Sequence, residues 1–297
     1  MTKNEEQKND AALSGKITPA DIKNLRARGA IHELQLSKMP TLTDKLAQAL
    51  PTLESVEKLW LWCDVTRKAM RHVINTPGLR VLDILNIKGP DRMDSFATAP
   101  DLEIVRANLG MSENDVASIL QAPALKELGM QGADLSPRLI AAMLAHPHLL
   151  ALDMERTAFN DAMAASLSAS KQIHTLDLGN TKITGKGLVH LCRMTQLRSL
   201  DLWATKIELD DLDLLAQLPH LEYLSLGNVD DAPGFDAAEL ISKVEALVSL
   251  KNIWLDGIQF NEQQAAHLRQ RIARVNITSV ICRMPFVFDG FRDTLKY

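Results

Sequence analysis

Three aspartates, Asp153, Asp177 and Asp201, recur at intervals of 24 residues, each directly after a leucine. If the chain brings them side by side, they form a row of like charge. Such a row works against stability unless neighbouring groups compensate it or a cationic partner uses it. Glu155 and Asp256 would add to its charge. The aromatic residues are sparse and placed unusually. The four tryptophans, Trp60, Trp62, Trp203 and Trp254, and one of the two tyrosines, Tyr223, stand between leucines rather than at leucine positions. Tryptophan and tyrosine bring large contact area and a polar handle at low entropic cost, as binding hot spots require. Other reactive combinations are weaker. His146-Pro147-His148 offers two imidazoles with no third ligand nearby, and reads as a turn. His190 near Cys192 could suggest an activated thiol, but helical spacing puts Cys192 on a core face, as an inert buried thiol. There is no G-x-S-x-G nucleophile turn and no phosphate-binding loop. These residues point to binding rather than turnover. No catalytic residue, cofactor or metal is expected.

The elements that position these residues follow from a recurring phrase, Leu-x-x-Leu-x-Leu. It reads Leu125-Leu128-Met130, Leu149-Leu152-Met154, Ile173-Leu176-Leu178, Leu197-Leu200-Leu202 and Leu221-Leu224-Leu226. Weaker copies run upstream to Ile31-Leu34-Leu36 and downstream to Leu250-Ile253-Leu255 and Ile277-Val280-Cys282. The alternation within each phrase predicts a short strand with one buried face. A cap follows at constant phase, at Thr66, Ser112, Ser136, Asn160, Thr184, Asp210 and Asn261, and behind it apolar pairs at helical spacing. Proline at 77, 100, 123, 147 and 219 closes many units two residues before the next phrase. Each unit is therefore strand, turn and helix. None can bury its apolar side alone, so the units must stack.

On these residues the chain resembles leucine-rich repeat proteins over roughly residues 31–282. The units bearing Thr157, Thr181 and Thr205 resemble bacterial repeats whose helices begin Thr-x-x-Gly-Leu, here Thr184-Gly185-Lys186-Gly187-Leu188. They are closer to the helix-bearing ribonuclease-inhibitor-like and cysteine-containing-like repeats than to the short bacterial type. The common pattern has Asn or Cys at the ninth slot, where three consecutive units here have Thr. The resemblance implies an α/β fold: a curved leucine-rich repeat solenoid of about eleven repeats, with a parallel β-sheet on the concave face and helices on the convex face. It also implies a protein-binding role, since several bacterial members act as effectors on host proteins.

The repeat then serves as a ruler. The central outward slot carries Gln35, Trp60, Asp83, Arg106, Gly129, Asp153, Asp177, Asp201, Ser225, Trp254 and Ile281 in turn. Two residues on, Glu155, Gly179, Trp203, Gly227 and Asp256 share a second row. The candidate partner-binding set is Asp153, Glu155, Asp177, Asp201, Trp203, Tyr223 and Trp254. The aspartate column has two readings: repetition inherited by duplication, or a row that selects Lys or Arg on a partner.

The expected organisation is a polar, disordered tail (1–16), a capping helix (17–30), the solenoid (31–283) and a C-terminal cap (284–297). Net charge is −4, which gives a nucleic acid or an anionic membrane no electrostatic support. Three dispersed cysteines and the polar start favour the cytoplasm, with export by a signal-less route left open. The expectation is a non-enzymatic module, monomeric or weakly dimeric, that binds a protein or peptide with basic groups, as a bacterial effector or scaffold. The alternatives are a regulator of a partner enzyme, as leucine-rich GTPase activators are, and a purely structural scaffold.

Overall fold

The computed structural model describes residues 9–227 and 235–278. The chain divides into two compact units, Met1–Ala133 and Asp134–Tyr297. The first holds strands β1 (Asp10–Ser14), β2 (Ala30–Leu42), β3 (Ser55–Thr66), β4 (Val81–Lys88), β5 (Ile104–Ala107) and β6 (Glu127–Met130). Its helices are α1 (Pro19–Asn24), α2 (Asp44–Ala47), α3 (Met70–Val73) and α4 (Glu113–Ile119), with short 3-10 turns between elements. The second holds β7 (Ala151–Asp153), β8 (Thr175–Asp177), β9 (Ser199–Asp201), β10 (Tyr223–Gly227), β11 (Asn252–Asp256) and β12 (Arg274–Thr278). Its helices are α5 (Pro137–Ala145), α6 (Asp161–Leu167), α7 (Gly185–Leu191), α8 (Ala237–Glu245) and α9 (Glu262–Arg271).

Within each unit the strands pair in parallel and in chain order. The phrase predicts the register: Leu34, Leu59, Leu82, Val105 and Leu128 are successive partners in the first unit. Leu152, Leu176, Leu200, Leu224 and Ile253 are successive partners in the second. All ten are fully buried. Within each unit one buried side chain thus stacks on its equivalent in the next strand, which is why no single repeat is stable alone.

The two ends differ from the expectation. Asp10–Ser14, expected within the polar tail, form β1, with Ala11 opposite Leu34 and Leu13 opposite Leu36. Alanine at the first core slot conceals the phrase, although the backbone still pairs. At the far end the core slots opposite Ile253 and Leu255 are filled by Val275 and Ile277, not by Val280 and Cys282. Asn276, not Ile281, lies beside Trp254. Helix α9 ends at Arg271, and the Arg274 N–H already bonds the Lys251 carbonyl, so the strand starts early. Residues 284–297, the expected C-terminal cap, lie outside the described residues, as does Cys282.

Caps fall at the predicted phase. Ser112, Ser136, Asn160, Thr184 and Asn261 each accept a backbone N–H from the first turn of their helix, and Thr66 does so for a 3-10 turn. Asp210 does not cap. It opens a 3-10 helix, Asp210–Gln217, and the neighbouring Asp211 accepts the Glu208 N–H instead.

Charge is also periodic. Two residues before each stacked core residue, His32, Glu57, Arg80, Glu103 and Lys126 form a ladder, each within 3.7 Å of the next. Arg198, Glu222 and Lys251 repeat it in the second unit. Deeper in the first unit the Arg67 guanidinium donates to the buried Asp115 carboxylate and to the Gly89 and Gly110 carbonyls, tying three successive connections together.

Candidate functional site

The expected column forms in the second unit. Asp153, Asp177 and Asp201 are register partners on β7, β8 and β9. Their side chains are buried rather than displayed, as is that of Glu155. A repeated turn accounts for the burial. Asp153 Oδ1 accepts the Glu155 N–H at 2.9 Å, Asp177 Oδ1 the Gly179 N–H at 2.9 Å, and Asp201 Oδ1 the Trp203 N–H at 2.8 Å. One residue on, the chain enters the left-handed region, at Arg156 (φ 58°), Asn180 (φ 52°) and Ala204 (φ 53°). The next residue is always threonine. Thr157, Thr181 and Thr205 each donate their hydroxyl to the carbonyl three residues back, at 2.7 Å. Asp-x-x-x-Thr is therefore a strand-exit turn closed at both ends by side chains. Asparagine tolerates a left-handed backbone, whereas alanine and arginine are strained there, and these two bonds help hold them.

The carboxylates remain close. Asp153, Glu155 and Asp177 each place one oxygen within 4.8 Å of the others. An all-oxygen donor set suits a hard cation, but such ions take six or more ligands, and two of these three residues already commit an oxygen to a turn. Arg156 Nε lies 3.4 Å from Glu155 Oε1, so part of the local charge is balanced within the chain.

The aromatic side chains are not equivalent. Trp203 is only 6% exposed. It lies against β10: a methyl group added at Gly227 would come within 2.5 Å of the indole Cδ1. The missing side chain at 227 is thus what lets a tryptophan on the sheet face become buried. Tyr223 is buried as well. Trp254 is half-buried and stands opposite Ser225, a small, fully buried neighbour, with Asn276 on its other side. Asp201, Ser225 and Trp254 are successive register partners, so the last aspartate and the open indole are two strand spacings apart, roughly 10 Å. In the first unit the equivalent face carries Trp60 and Trp62. Their rings are 6.5 Å apart and nearly perpendicular, and Trp62 is 45% exposed. Two strands on from Trp60, Arg106 bonds Glu127 at 2.5 Å, both side chains buried.

The groups discounted as chemistry have ordinary surroundings. Burial pushes the Cys63 thiol up to about 11 and that of Cys192 to about 12, so neither is a nucleophile at neutral pH. His146 is buried, with its ring edge-on to that of His148. The sequence reading missed the strand-exit turn that each aspartate and the following threonine close from opposite ends. The signal was present: threonine follows each of the three aspartates at the same distance of four residues.

No protein-family model and no curated protein matches this chain. Among solved structures it is similar to an internalin from Listeria monocytogenes, with a TM-score of 0.52 and 15% identity, over 94% of this chain and 84% of the internalin. It is also similar to TLR13 in the TLR13–ssRNA13 complex, with a TM-score of 0.49 and 22% identity, over 84% of this chain but only 36% of that one. The present chain therefore spans little more than a third of that protein. The internalin likeness, with the parallel strands in repeat register, shows a leucine-rich repeat fold and nothing about a ligand. No helix among the described residues is long and apolar enough to cross a membrane.

Proposed function

We propose that this leucine-rich repeat chain is a non-enzymatic protein-binding module, which holds a partner protein or peptide on the open sheet face of its second unit. The observation that carries the reading is the separation of residue types there. The stacked slots are aliphatic, while Trp203, Tyr223 and Trp254 all stand on the opposite, open face. Trp254 is the accessible anchor. Tyr223 and Trp203 form a packed flank beside it, and Ser225 leaves a low floor between Asp201 and Trp254. Asp153, Glu155, Asp177 and Asp201 act through their field. Carboxylates sheltered from water hold a negative potential along the face, which favours Lys or Arg on the partner. A matching ligand presents a basic group and an apolar group about 10 Å apart. The odd, dispersed thiols, with Cys63 and Cys192 both buried, suit a reducing compartment such as the cytoplasm.

The test is a quantitative pull-down, read by mass spectrometry, that compares the wild type with Trp254→Ala and Asn252→Arg. Both substitutions sit at partly exposed positions, so thermal melts should stay close to wild type. The expected result is loss of the same partner in both, by at least tenfold. Undiminished recovery of every associated protein would leave the face empty and overturn the reading.

A further inference from the structure

Strand β2 runs on past the end of β1. The pairing stops at Ser14 opposite Ser37, and the Gly15 N–H then bonds the Ser37 carbonyl. Lys38 follows in the left-handed region (φ 54°), and the register against β3 shifts between Ser37 and Thr41. The continuation, residues 39–42, therefore has β3 on one side and, among the described residues, no strand on the other. The chain leaving β1, Gly15–Pro19, turns away towards α1. Between them opens a cleft of about 310 Å³. The buried Met39 and Leu46 and the half-buried Ile17 make its floor, and the exposed Pro40, Lys16 and Lys45 stand at its rim.

Three features set this cleft apart. Both lysines are exposed, and among the described residues neither has an ion pair. No carboxylate lines the cleft; of the two nearest, Asp44 is held by Arg71 and His72, and Asp21 accepts the backbone N–H and the hydroxyl of Thr18. Thr43 stands at the N-cap of α2 but makes no capping bond, unlike the caps of the longer helices, and its hydroxyl is available to the cleft.

We propose that this cleft is a second docking site, which takes one bulky apolar side chain from an acidic segment of a partner protein. The floor supplies apolar contact area for a single Leu- or Phe-sized group. Two ammonium groups with no ion pair among the described residues, on a chain of net charge −4, supply a local positive field that selects carboxylates on either side of that group. The requirement is opposite in charge to that of the second unit's face, so the two sites take different segments.

A random heptapeptide library displayed on phage is selected against the full-length protein. The expected consensus is one Leu, Ile, Met or Phe with Asp or Glu within two residues on either side. The best peptide, labelled with fluorescein and read by anisotropy, should bind at least tenfold more weakly to Lys16→Glu/Lys45→Glu and to Thr43→Trp, which fills the cleft. It should bind Trp254→Ala with wild-type affinity. The lysine pair is exposed, so that variant stays interpretable even if Thr43→Trp fails to fold. No enrichment, a consensus without acidic residues, or binding indifferent to the lysine pair would overturn the proposal. Peptides lost only in Trp254→Ala would overturn it while supporting the sheet-face reading.

Discussion

Asp177 shows how one residue can look like chemistry and serve geometry. Its carboxylate Oδ1 takes the Gly179 N–H, and the residue is buried between register partners that carry the same charge. Replacement by asparagine keeps an acceptor oxygen and removes a like charge, so Asp177→Asn should match or exceed the wild type in urea melts. Asp177→Ala strands a backbone donor and should cost about 1–3 kcal/mol. If both variants lose the same amount, charge rather than the turn is what matters. His174 makes a second residue-scale prediction. Burial, with a smaller effect from the Arg198 charge, lowers its affinity for a proton in the folded state. The unfolded chain then binds more protons below the ordinary histidine value of about 6.5. This contribution to stability is complete above that pH and is lost as pH falls towards the lowered folded value. Melting temperatures measured from pH 7.5 to 5.0 should therefore fall less in His174→Gln than in the wild type.

At the scale of the element, the strand-exit turn recurs with the same two side-chain bonds in three consecutive units. Its left-handed residue is free to vary, as Arg156, Asn180 and Ala204 demonstrate, because the flanking Asp and Thr bonds are supplied by side chains on both sides. Alanine is the least suited of the three to that backbone. Ala204→Gly should raise stability by up to about 1 kcal/mol, whereas Ala164→Gly within helix α6 should lower it by a similar amount. Opposite signs in chemical denaturation would establish the conformational cause; equal losses would refute it. Burial of the aromatics is likewise settled between elements. How far a tryptophan on a strand is buried depends on its neighbours across the sheet: glycine on the next strand for Trp203, serine and asparagine on either side for the half-buried Trp254.

For the molecule as a whole, each repeat packs on its neighbours within a unit, so damage should spread locally. Leu176, fully buried on β8, is stacked between Leu152 and Leu200. Leu176→Ala should cost about 2–5 kcal/mol. In hydrogen exchange the amides of β7–β9 should lose protection while those of β2–β4 keep theirs. Uniform loss across both units would mean that they unfold as one block.

The stacked slots, the strand order and most caps were legible in the residues, because a core built from one repeated contact writes its period into the chain. The register of the aspartates, the tryptophans and Tyr223 followed from the same ruler. The period does not report how far a neighbouring side chain reaches. Trp203 is buried because Gly227 makes room, β1 pairs although Ala11 hides its phrase, and β12 starts early because α9 ends at Arg271. Each outcome depends on an atom that is close in space and remote in sequence. Periodicity told which face a residue occupies. Only tertiary packing decided that the aspartates close turns and that Trp254 stays half-exposed where Trp203 is buried.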